Sequence, residues 1–175
     1  MNHLHCEPET VLRIIEYFLG FIFLYSSIMK VKSFNRFSSS IIAFPLNRFV
    51  ASSVIVFELL LVILFFSNRA ALPAVLSALF LLIATAYIIF TLATKKKVSC
   101  YCFGDDTDIV STSTLIRNLV LLSLSLVGIV LSYVYNANSI FKLQHEMLSV
   151  VFGLIFFLMF VITIKIADFN RSLQS

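Results

Sequence analysis

The chain has 175 residues, of which 60% are hydrophobic, 19 are phenylalanine and only 13% are charged, so it lacks the polar coat that a soluble domain of this length needs. Its net charge of +4 does not indicate a nucleic-acid surface, because the basic residues sit at the ends of apolar runs. What remains is an all-α integral membrane bundle: no alternating barrel pattern is present, and in lipid only helices then satisfy the backbone.

Residues 1–10 form a short polar tail with two His, two Glu and one Pro. They lack the basic lead into an apolar stretch that marks a cleavable signal, so the first span is expected to stay in the mature protein. His3, His5 and Cys6 offer an incomplete copper or zinc ligand set; the alternative is a solvated, frayed terminus, and no metal site is expected.

Five apolar runs follow, approximately Val11 to Met29, Phe49 to Phe66, Leu72 to Ala93, Leu115 to Tyr135 and Met147 to Ile166. At a rise of about 1.5 Å per residue, roughly 20 residues cross a hydrocarbon core of about 30 Å. The expected architecture is four core helices (residues 11–135) plus one C-terminal span and a short tail (residues 136–175). The first span carries Arg13 and Glu16 near its start. Three positions apart, they share a helical face and either pair or snorkel toward the headgroups.

Glu58 interrupts the second span near its middle, where a carboxylate is costly unless paired, hydrated or protonated. It reads either as a proton carrier or contact for a quinone-like or thiol substrate, or as a neutral acid hydrogen-bonded within the bundle. Lys30, Arg48 and Arg117 lie at span ends, where a snorkelling, solvated or lipid-facing role is the default.

Ten of the thirteen basic residues flank one side of the bundle: Lys30, Lys32, Arg36, Arg48, Lys95, Lys96, Lys97, Arg117, Lys165 and Arg171. Arg13, Arg69 and Lys142 fall on the other. The positive-inside bias therefore puts the N-terminus outside and the C-terminus in the cytoplasm of a cell-membrane protein. Cys100 and Cys102, between the third and fourth spans, then face the cytoplasm, an unusual compartment for disulfide formation.

In that connection Lys95, Lys96 and Lys97 favour a thiolate nearby, Gly104 offers a turn, and Ser111 to Thr114 supply N-caps for the fourth span. Two cysteines one residue apart close only a small, strained ring, which suits exchange better than stapling. The alternatives are a pair of ordinary reduced thiols, or a metal site whose nearest partners, Asp105, Asp106 and Asp108, are hard oxygen ligands mismatched to thiolate-loving metals.

Several segments in order resemble the MauE-like membrane proteins of the wider DoxX-like group. They are Gly20 to Lys32 with its Lys30, Ala43-Phe44-Pro45, Glu58 in the second span, Cys100-Tyr101-Cys102-Phe103-Gly104 in place of a CxCFG signature, and Leu115-Ile116-Arg117-Asn118-Leu119. The resemblance covers about residues 11–135. It implies a bundle engaged in thiol redox, named for methylamine utilisation, which helps a disulfide-rich dehydrogenase mature together with a thioredoxin-like partner.

On this resemblance Cys100 and Cys102 are the redox pair, and Lys30, Glu58, Phe103, Gly104, Arg117 and Asn118 support it. The chain would then be a thiol-disulfide oxidoreductase component, with a thioredoxin-fold partner supplied by another chain. No cofactor is evident, and a quinone acceptor has no residue pattern to demonstrate it. Tyr101 stands where the family often has Gly and restricts the turn. Two other classes compete with this reading: a non-catalytic membrane scaffold or immunity-type protein, and a small proton-coupled transporter built on Glu58.

Overall fold

Helix is the outcome that the apolar runs dictate, and every element of the computed structural model is helical among the residues it describes, 8–40, 47–67, 71–94, 112–135 and 143–172. In chain order these are α1 (Pro8–Lys32), α2 (Phe34–Ser40), α3 (Asn47–Phe66), α4 (Ala71–Ala93), α5 (Thr112–Tyr135) and α6 (Leu143–Ser172). Pro8 and Pro73 fall in first turns, where a missing N–H costs nothing. α5 begins at Thr112, inside the Ser/Thr run expected to cap it.

Among the described residues four helices are long and apolar enough to cross a membrane: Thr10–Lys32, Arg48–Phe66, Ala71–Ala93 and Thr112–Val134, with mean hydropathy 1.6, 2.7, 2.5 and 2.1. The protein is thus a helical membrane bundle. α6 contributes a shorter apolar stretch, Leu148–Thr163. Gly153 of α6 meets Tyr17, and Phe157 meets Phe21 and Tyr25 farther along both helices. α6 therefore runs parallel to α1, the direction that a fifth crossing requires.

α1, the least apolar of the four spans, is the most enclosed: 61% of its apolar window is buried, against 33% in α3 and α4 and 22% in α5. The packing explains why. α1, α3, α4 and α5 form a ring in which each touches the next, and α6 closes the outer side of α1. Helices outside the centre turn residues such as Ile63, Ile83, Val130 and Met159 outward, as a lipid-facing surface does.

The ring closes over a core of Phe18, Leu19, Ile22, Phe23, Leu61, Val62, Phe65, Leu81 and Leu121. Phe23 stacks on Phe65 and meets Phe80 edge-on, while Phe57 tilts against Phe80. Small residues allow the closest approaches. A Cβ on Gly20 would stand 3.2 Å from the Phe66 ring, and one on Gly153 would stand 2.8 Å from Tyr17 Cβ and 3.2 Å from the Phe18 backbone nitrogen. Between α4 and α5, the Ser77 hydroxyl meets that of Ser125 at 3.1 Å.

α2 has no counterpart among the expected spans. Ser33 breaks α1 while keeping the chain helical: its hydroxyl donates to the Met29 carbonyl at 2.8 Å, and its own carbonyl accepts from the Phe37 N–H at 2.9 Å. The short helix then packs against α3 and the end of α1.

Candidate functional site: a buried ion-pair layer

The antiparallel register of α1 with α3 and α5 assembles a polar layer from residues far apart in sequence. Ile22, Leu61 and Leu121 share one core cluster. One helical turn from each, toward the end of the bundle where α1 finishes, stand Ser26 and Ser27 of α1, Glu58 of α3, and Arg117 and Asn118 of α5. Lys30 follows one turn beyond Ser26.

Within this layer Glu58 is ion-paired with Lys30. Ser26 Oγ donates to Glu58 Oε1 at 3.4 Å and Ser27 Oγ to Oε2 at 3.3 Å, so both carboxylate oxygens are engaged. Lys30 Nζ also lies 5.5 Å from the centre of the Phe37 ring of α2, within cation–π range. The group is withdrawn from its surroundings: Lys30 is 3% exposed, Glu58 2%, Ser26 6% and Ser27 0%.

One expectation is corrected here. Lys30 does not snorkel to a solvated rim; it folds inward, because Glu58 offers a full countercharge. Of the two alternatives for Glu58, hydrogen bonding within the bundle is present through Ser26 and Ser27, and the Lys30 ammonium is added to it. The sequence carried a usable signal in Ser26, Ser27 and Lys30, whose spacings of three and four put all three on one stripe of α1. Arg117 and Asn118 are half-buried in the second turn of α5, and Thr114, one turn earlier, is buried.

A second ion pair occupies the other end of α1. Arg13 Nη1 lies 2.9 Å from Glu16 Oε2, with both side chains buried. Their three-residue spacing anticipated the pairing; the alternative of reaching for headgroups does not occur. Parallel packing brings buried Ser149 of α6 to the level of Arg13, one turn before the contact of Gly153 with Tyr17.

Cys100, Cys102, Phe103 and Gly104, like His3, His5 and Cys6, lie outside the described residues. The connection that carries the cysteine pair leaves α4 after Thr94 and rejoins the bundle at Thr112. Both attachment points are at the end of the bundle where α1 terminates, the end nearer the layer of Lys30 and Glu58.

The fold and this layer define a class: a helical membrane bundle with a charge-compensated polar layer inside it. The profile of the family described as methylamine utilisation protein MauE matches residues 8–131, which takes in α1 to α4 and nearly all of α5. The chain belongs to the MauE family. No curated protein and no solved structure matches it.

Proposed function

We propose that this MauE-family protein supports thiol-disulfide exchange with a partner protein through Cys100 and Cys102. The supporting observation is the buried layer of Lys30, Glu58, Ser26 and Ser27, at the end of the bundle where the cysteine-bearing connection is attached. Ionisable residues inside a membrane span are rare and by default mark functional positions.

In the proposed reaction, one deprotonated cysteine attacks a partner disulfide, forming a mixed disulfide and releasing one partner thiolate. The second cysteine then attacks the mixed disulfide. The bundle's dithiol becomes a disulfide, the partner's disulfide becomes a dithiol, and two electrons pass from bundle to partner. The two protons lost by the bundle's thiols are regained by the partner's. Glu58 and Lys30 serve as positioning residues: they hold α1 and α3 in the register that sets the end of the bundle.

The charge bias supports an orientation with this connection in the cytoplasm, where the pair is kept reduced and is competent to attack. The partner this chemistry calls for is a thioredoxin-fold protein from another chain.

Trapping tests the reading. With Cys102→Ser, a partner should remain attached to Cys100 as a reductant-sensitive adduct, or to Cys102 when Cys100→Ser is used instead. Absence of adducts from both variants, with each protein still inserted and folded, would refute exchange. Orientation is read separately: an impermeant thiol reagent applied to intact cells should leave both cysteines unlabelled until lysis.

A further inference from the structure

The rim around α2 carries a second arrangement, independent of the ion-pair layer. From residue 17 to residue 57 the chain has no Asp or Glu, while Lys32, Arg36 and Arg48 are all exposed. The carboxylate that follows, Glu58, already faces Lys30. This rim carries the positive charge of Lys32 and Arg48, and its own segment supplies no acid.

Its shape adds to its charge. Asn35, Ser38 and Ser39 of α2 and Arg48 from the first turn of α3 line a small cleft. Lys32, Ser33 and Arg36, with the apolar Met29, Val31 and Phe34, line a wider neighbouring one, and Asn35 borders both. The Ser38 and Ser39 hydroxyls donate to the Asn35 and Arg36 carbonyls at 3.0 and 2.8 Å, which fixes the wall of the cleft. Donors for a ligand then come from the Asn35 amide and the Arg48 guanidinium, whose planar fork matches phosphate oxygens. Beside this polar cleft the surface is apolar: Phe49 is 69% exposed, Val31 56% and Ile28 53%.

A concave cationic cleft next to exposed hydrocarbon, at the end of membrane-spanning helices, matches an amphiphile with an anionic head. We propose that the cleft between α2 and the first turn of α3 binds the phosphate headgroup of an anionic phospholipid, with its acyl chains against Ile28, Val31 and Phe49. Basic clusters at membrane rims attract such lipids by charge; here Asn35 and Arg48 add a defined seat.

Native mass spectrometry of the full chain released from detergent tests this, with phosphatidylglycerol, phosphatidylcholine or inorganic phosphate added. Phosphatidylglycerol should be retained about tenfold more tightly than phosphatidylcholine, and inorganic phosphate at the same concentration should not displace it. Arg48→Gln should weaken phosphatidylglycerol retention about tenfold and Asn35→Ala, which removes no charge, several-fold. Three results would each overturn the proposal: equal retention of the two lipids, displacement by phosphate alone, or undiminished retention by Asn35→Ala. Asn35→Ala keeps every charge and therefore reads the seat even if Arg48→Gln lowers the yield of folded protein.

Discussion

The pairing of Lys30 with Glu58 predicts a large coupling energy between α1 and α3. Lys30→Met keeps most of the side chain's bulk but strands the Glu58 carboxylate, 2% exposed, with two serine hydroxyls at 3.3 and 3.4 Å. Both contacts exceed the usual O–H to O range, so each offsets at most about 1 kcal/mol. Breaking a buried pair by removing one partner costs about 3–5 kcal/mol. Glu58→Gln leaves the opposite problem, an ammonium whose remaining aromatic neighbour at 5.5 Å is worth about 0.5–2 kcal/mol. Removing both charges together, Lys30→Met with Glu58→Gln, leaves no stranded ion and should cost about 1–2 kcal/mol.

The two single losses therefore exceed the double loss by about 4 kcal/mol or more. Reversible unfolding of the full chain in bicelles, followed by steric trapping, measures all four corners of this cycle. An interhelical hydrogen bond in a membrane protein typically couples by about 0.6 kcal/mol. A measured coupling at or below that level would refute the argument that a full ion pair joins the two helices.

Other contacts give smaller or independent effects. Gly153→Ala puts a methyl 2.8 Å from Tyr17 Cβ with backbone behind it, so α6 should be pushed off α1 at a cost of about 1–3 kcal/mol, read as faster proteolysis of α6. Arg13→Met should destabilise the bundle by about 3–5 kcal/mol by leaving Glu16 buried without its cation. Because Arg13 and Lys30 are roughly 26 Å apart along α1, its cost should add to that of Lys30→Met within about 0.5 kcal/mol in the same unfolding assay. Ser77→Ala removes the hydroxyl contact between α4 and α5 and should cost about 0.6 kcal/mol, a small but measurable shift in the same assay.

How far the sequence revealed the fold depends on the range of the interaction involved. Apolar runs of membrane length are local facts, and the spans read from them coincide with α1, α3, α4 and α5 to within a few residues. Arg13 and Glu16 were likewise legible, because one turn of their own helix brings them together. α2 was not: Phe34–Ser40 is too short for a period to emerge. The inward turn of Lys30 escaped for the opposite reason. Its partner is 28 positions away and arrives only through the antiparallel packing of α1 and α3, so rules for isolated helices send the ammonium to the headgroups.

The two ion pairs also differ in what they ask of biosynthesis. Arg13 and Glu16 neutralise each other within one turn, so α1 carries that pair into the bilayer already compensated. Glu58 enters on a different helix from its cation, and a bare carboxylate near the centre of a span opposes insertion by about 2.5–3.5 kcal/mol. The strong apolarity of Arg48–Phe66, with mean hydropathy 2.7, works against that penalty. Delivery beside an α1 that is still at hand removes it. Synthesis from the N-terminus ensures that the helix carrying Lys30 is waiting when Glu58 emerges, so chain order doubles as an assembly order and a reversed order of the same two helices would insert less efficiently.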